Sequence, residues 1–156
     1  LIFQTALGSA HAAVMAAALV IAVIPTALAA EGVFSDVPNG AWYADAVDYV
    51  YEHGIMNGTS ATTFSPNTPM TRAMLVTVLH RAAGSPSAAT GTTFSDIPSG
   101  AYYTDAVAWA SANSIVTGYG NGRFGSNDPV SRAQIAAILW RYAGSPSAEA
   151  GQDFAD

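Results

Sequence analysis

The chain has 156 residues, about half of them apolar and only 10% charged, with a formal net charge of −6. That length suggests one or two small domains with enough apolar content for a packed core. The five basic residues are all arginine and form no basic patch, which argues against a nucleic-acid partner; the absence of cysteine excludes a disulfide framework and thiolate metal sites while leaving the redox compartment open.

Residues 1–30 differ from the rest. Ala12 to Ile24 is continuously apolar or small, Pro25 interrupts it, and Ala27-Leu28-Ala29-Ala30 offers a small-residue cleavage site before Glu31. This pattern is that of a secretory signal peptide, although the segment lacks the basic residues of an n-region. A membrane span is the rival reading, since the run approaches the ~20 residues a span requires. Any membrane contact is therefore expected only through this segment, if uncleaved.

Beyond residue 30 the sequence repeats itself. Phe34-Ser35-Asp36-Val37-Pro38 returns sixty residues later as Phe94-Ser95-Asp96-Ile97-Pro98. The register holds without a gap to Gly84-Ser85-Pro86-Ser87 and Gly144-Ser145-Pro146-Ser147, and Phe154-Ala155-Asp156 begins a third copy. The expected organisation is a leader over 1–30, a first repeat over 31–93, a second over 94–153 and the start of a third at 154–156. Four of the five arginines fall at matched positions, Arg72 with Arg132 and Arg81 with Arg141.

Each repeat reads as helix, long loop, helix. Trp42 to His53 places Tyr43, Ala46, Val47, Val50 and Tyr51 on one face and stops at Gly54; Tyr103, Ala106, Val107 and Ala110 repeat that face. Ile55 to Pro69 has loop composition, with Phe64, and Phe124 in the second copy, as apolar pins. The second helix is expected over Arg72 to Ala83, with Leu75, Val76, Val78, Leu79 and Ala82 as its buried stripe. The counterpart stripe is Ile135, Ala136, Ile138, Leu139 and Tyr142. Two short helices bury little surface alone, so the fold expected is an all-α bundle of tandem helix-loop-helix repeats that cover one another.

The segment Pro69-Met70-Thr71-Arg72-Ala73 and its copy Pro129-Val130-Ser131-Arg132-Ala133 open the second helices. Thr71 and Ser131 suit the N-cap, where a hydroxyl accepts from a first-turn amide. An arginine at the first helical position opposes the helix dipole, so it needs an anion nearby. Either a carboxylate such as Asp36, Asp45, Asp96 or Asp105 supplies it, or an external anion does. Arg81 and Arg141 lie in the last helical turn, where a cation suits the dipole. Trp42 and Tyr102 can stack on a sugar or fill the core, and Gly58, Gly118 and Tyr119 lie in turns whose backbone can approach a ligand.

These residues resemble the S-layer homology family: the F-S-D-[VI]-P opening, the aromatic-Tyr-x-Asp-Ala-Val helix, the I-x-x-G turn and the [TS]-R-A core. The resemblance covers residues 34–153 as two modules. It implies a non-catalytic, secreted cell-surface module that holds proteins non-covalently to the wall, with a secondary cell wall polysaccharide, often carrying a pyruvyl ketal, as ligand. The anion-binding role falls on Arg72 and Arg132, with Trp42, Tyr102, Gly58, Gly118 and Tyr119 as further contacts, and Arg132→Ala is expected to weaken binding more than Arg141→Ala. A further repeat or a cargo domain is expected beyond residue 156. The family's motif glutamate is Met74 in one copy and Gln134 in the other; Gln134 can still close a capping box and Met74 cannot, at a cost of about 0.5–1 kcal/mol. The alternative function is a self-assembling surface module.

No cofactor or metal is expected. Gly118 to Arg123 lacks the Lys-Ser/Thr of a phosphate loop, and with Asn127 and Asp128 it offers one carboxylate, too few for a calcium cage. His53 and His80 give way to Asn113 and Trp140 in the second copy, and no nucleophile–base pair recurs.

Overall fold

A computed structural model describes residues 32–88 and 94–147. The expected leader and the start of a third repeat lie outside these residues. The described chain forms four helices, α1 (Ala44–Glu52), α2 (Arg72–Ala82), α3 (Thr104–Ala112) and α4 (Arg132–Tyr142), and no strand. None of these helices is long and apolar enough to cross a membrane.

The helix boundaries follow local chemistry. Thr71 accepts from the Met74 amide at the start of α2. Ser131 and Gln134 form the complete capping box at α4, with Ser131 Oγ accepting from the Gln134 amide and Gln134 Oε1 accepting from the Ser131 amide. α1 and α3 have no side-chain cap; each instead begins after a turn and carries an acid, Asp45 or Asp105, in its first turn. The amides of Ile55 and Met56 close α1 onto the Val50 carbonyl, and those of Ile115 and Val116 close α3 onto Ala110.

The aspartate of each Phe-Ser-Asp motif pins the long loop. Asp36 accepts from the amides of Phe64 and Ser65 at 2.8 and 2.7 Å, and Asp96 from Phe124 and Gly125 at 2.7 and 2.8 Å. These bonds join positions 28 and 29 residues apart, so the motif fixes where the loop ends. Both carboxyls are held below the usual carboxylate value, Asp36 chiefly by the Phe64 amide. For Asp96, burial pushes upward but the Phe124 and Gly125 amides outweigh it.

The core lies at the junction of the two helix pairs, between α2 and α3. It gathers Ala73, Leu75, Val76 and Leu79 with Ala106, Val107, Trp109 and Ala110, closed by Ile115, Val116, Phe124 and Ile138. The expected stripe of α2 is therefore realised at Leu75, Val76 and Leu79, but Ala82 is exposed, and Arg72, Thr77 and His80 are buried in addition. α4 departs further: only Ile138 of its stripe is buried, Ala136 is exposed, and Leu139 and Tyr142 are 44% and 38% exposed. On α1, Val47 is buried while Ala46 and Tyr51 are exposed. The reason is position. α2 and α3 cover each other, while among the described residues nothing equivalent covers α1 or α4.

Candidate functional site

The start of α2 is built into the loop that precedes α4. The Arg72 and Ala73 amides donate to the carbonyls of Asp128 and Ser126 at 3.0 and 3.1 Å, and Val130 N donates to the Met70 carbonyl. With Met74 N on Thr71 Oγ1 and Leu75 N on the Thr71 carbonyl, the first-turn amides of α2 are used by the chain itself. The mouth of α2 is thus not an amide site for an external anion.

Arg72 is 5% exposed and meets none of the expected carboxylates. Its Nε donates to the Phe124 carbonyl at 2.9 Å, and its guanidinium carbon lies 4.8 Å from the Tyr119 ring centroid and 4.9 Å from that of Phe124. A carbonyl and two π faces take the place of a carboxylate. Arg132 is exposed and makes no ion pair; among the described residues the ion pair is Arg123 with Asp96, at 3.8 Å.

Two grooves flank the second helices at positions related by the sixty-residue shift. The first, about 340 Å³, is lined by Met56, Asn57, Gly58, Thr59, Met70, Met74, Thr77, Val78 and Arg81, with Tyr102 from the second half of the chain. The second, about 220 Å³, is lined by Val116, Thr117, Gly118, Tyr119, Gln134, Ala137, Ile138 and Arg141, with Arg72 from the first half. The first is largely apolar; the second brings together two guanidiniums, a tyrosine and a glutamine. Burial raises the Tyr119 hydroxyl above its usual range, a hydrogen bond to Asp128 adds to this, and Arg72 and Gln134 oppose it. Burial likewise raises Tyr102, with Tyr103 adding and Arg81 opposing.

Of the residues expected at the site, Gly58 and Tyr102 line the first groove, and Arg72, Gly118 and Tyr119 line the second. Arg132 and Trp42 line neither groove; Trp42 is 93% exposed and meets Tyr43 edge to face. Gly58 and Gly118 have a packing reason for being glycine. Their φ angles are +79° and +65°, and a Cβ on either would fall within 2.6 Å of a backbone carbonyl (Thr63 or Arg123) and of a ring carbon of Phe34 or Phe94. Arg81 and Arg141, assigned from the sequence to the helix dipole, are groove residues. Their signal was present: Met74, Thr77, Val78 and Arg81, and likewise Gln134, Ala137, Ile138 and Arg141, follow i, i+3, i+4, i+7 spacing along one helical face. No group of three or more His, Cys, Asp or Glu side chains among the described residues is placed to hold a metal ion.

Residues 33–73 and 93–136 match the S-layer homology domain family. An endoglucanase of Bacillus sp. (strain KSM-635) is 37% identical over 108 residues, covering 69% of this chain and 11% of that protein. The S-layer protein sap of Bacillus anthracis is 31% identical over 129 residues (82% and 16%), and a cell surface protein of Thermoanaerobacter kivui is 31% identical over 132 residues (81% and 17%). The chain spans less than a fifth of the length of each of these relatives.

Proposed function

The chain belongs to the S-layer homology domain family, and from that premise we propose that it is a non-covalent anchoring module of the cell surface whose second groove holds the anionic group of a wall polysaccharide, a pyruvyl ketal being the best fit. The repeats would be its two modules, 31–93 and 94–153. The observation that carries this reading is the convergence of Arg72 from α2 and Arg141 from α4 on one groove whose lining residues include no carboxylate. A guanidinium offers a carboxylate paired N–H donors, and Tyr119 offers a ring face against which a sugar can lie. Gly118 adds backbone to the lining. The net charge of −6 opposes an anionic polymer only weakly, because repulsion is screened over about 8 Å at physiological salt. Catalysis forms no part of this proposal, since the match to the endoglucanase covers only 11% of that protein.

The test is binding of the full chain to purified wall polysaccharide before and after removal of its ketal groups. Arg141→Ala, at a half-buried groove position, is expected to weaken binding about tenfold or more, the equivalent of one charge-assisted hydrogen bond. Arg132→Ala is expected to leave it near wild type, which reverses the order expected from sequence. Equal losses in the two variants, or binding indifferent to the ketal, would remove the groove assignment.

A further inference from the structure

The loop that precedes α4 holds a glycine that its backbone angle alone does not require. Gly125 has a φ of +76°, but the matched position sixty residues earlier is Ser65, which carries a side chain at +61°. What excludes a side chain at 125 is space. A Cβ there would run into Cε2 of Tyr119 and would lie 2.6 Å from an oxygen of the Asp128 carboxylate. The Tyr119 ring and Asp128 are thus both seated over this bare backbone, and the Tyr119 hydroxyl hydrogen-bonds Asp128. The same ring lies against the Arg72 guanidinium, while the Asp128 carbonyl accepts from the Arg72 amide at 3.0 Å. The first loop is closed across the same positions by other means. Thr59 stands for Tyr119, Ser65 for Gly125 and Thr68 for Asp128, and the hydroxyls of Thr59 and Ser65 meet at 2.6 Å. The three differences form one exchange: a hydroxyl pair in the first loop, a ring on bare backbone in the second.

We propose that Gly125 and Asp128 are positioning residues that set the specificity of the second groove for an anionic sugar: together they fix the Tyr119 ring against Arg72, so that ring and guanidinium form one preformed surface. This rests on the reading of the groove given above and adds two residues that line neither groove. Arg72 uses Nε on the Phe124 carbonyl, so its terminal nitrogens are held in place by the Tyr119 and Phe124 rings. A ring free to turn would leave the guanidinium without that wall and would make the ligand bear the cost of ordering both. Asp128 acts from behind: it takes the hydroxyl of Tyr119 and keeps its charge out of the lining. In the first groove Thr59 occupies the place of the ring, so no equivalent surface forms there.

The test compares Gly125→Ser, Tyr119→Thr and the two together, a pair that copies the first loop, in the full chain. Urea unfolding without ligand reads the seat. Gly125→Ser is expected to lower the midpoint in the wild-type background and to lower it much less beside Tyr119→Thr, where the ring it collides with is gone. An equal loss in both backgrounds overturns the proposal, because backbone strain alone then accounts for it. Calorimetric titration with purified wall polysaccharide reads the function. Gly125→Ser and Tyr119→Thr are each expected to weaken binding about tenfold, and the pair no more than Tyr119→Thr alone. Asp128→Ala is expected to weaken it about fivefold, and Asp128→Asn, which keeps an acceptor for the hydroxyl, to restore it. If wild type depends on the ketal while Gly125→Ser or Asp128→Ala binds equally well, the positioning role is overturned and the groove reading stands. If wild type is indifferent to the ketal, the groove reading fails and takes this role with it.

Discussion

The sharpest contrast between equivalent positions is Arg72 against Arg132, and it can be measured. Arg72→Ala removes a bond from a charged donor to the Phe124 carbonyl, worth about 1.5–3 kcal/mol net. It also removes contacts of the guanidinium with the Tyr119 and Phe124 rings, worth about 0.5–1 kcal/mol each. Relief of the desolvation of a buried charge offsets part of the loss. The expected net destabilisation is about 2–3 kcal/mol. Arg132→Ala, at an exposed site, is expected to stay within about 0.5 kcal/mol of wild type. At an m-value of about 2 kcal/mol/M, the urea midpoint falls by about 1–1.5 M for the first variant and barely moves for the second. Arg72→Lys is expected to recover only part of the loss, since an ammonium lacks the planar fork that spans a carbonyl and two rings. Equal midpoints for the two alanine variants would refute the argument that Arg72 ties the two helix pairs together.

Asp36 and Asp96 have folded values below the unfolded 3.8, so their stabilisation is present above that value and lost as pH falls through the lowered folded values. Calorimetry in acid is expected to show the melting temperature falling below about pH 4, and Asp96→Asn to lower it at neutral pH while flattening that acid limb. Gly118→Ala is expected to cost more than Gly120→Ala by urea unfolding: both positions have positive φ, but a Cβ at 118 meets the Arg123 carbonyl at 2.6 Å while one at 120 meets nothing within 4 Å. The shared φ penalty is about 1 kcal/mol, and the clash adds to it only at 118. Ser131→Ala is expected to lose about 1 kcal/mol of stability in the same assay, because it removes the hydroxyl that accepts from the Gln134 amide and leaves only the Gln134 side-chain half of the capping box.

Local chemistry was readable from the residues. Thr71 and Ser131 cap, Gln134 closes its box and Met74 does not, and α1 and α2 fall within two residues of their expected ends. These outcomes depend on neighbours within a few positions, which the sequence lists directly. The motif aspartates were assigned more loosely, as candidate partners of arginine. Their bonds to the loop amides cross nearly thirty residues and have no helical period to announce them.

Burial and site assembly were decided elsewhere. Arg72 and Arg132 share a motif, a cap type and a helix position, yet among the described residues one is enclosed and the other exposed, because the loop that precedes α4 is laid over Arg72. The same asymmetry buries Leu79 and leaves Leu139 in solvent. The packing of one helix pair on the next also makes groove residues of Arg81 and Arg141, which from their place in the last turn served only the dipole. Periodicity tells which face of a helix is apolar. Which neighbour covers that face, and which side chains then converge across the junction, follows from how one helix pair stacks on the next.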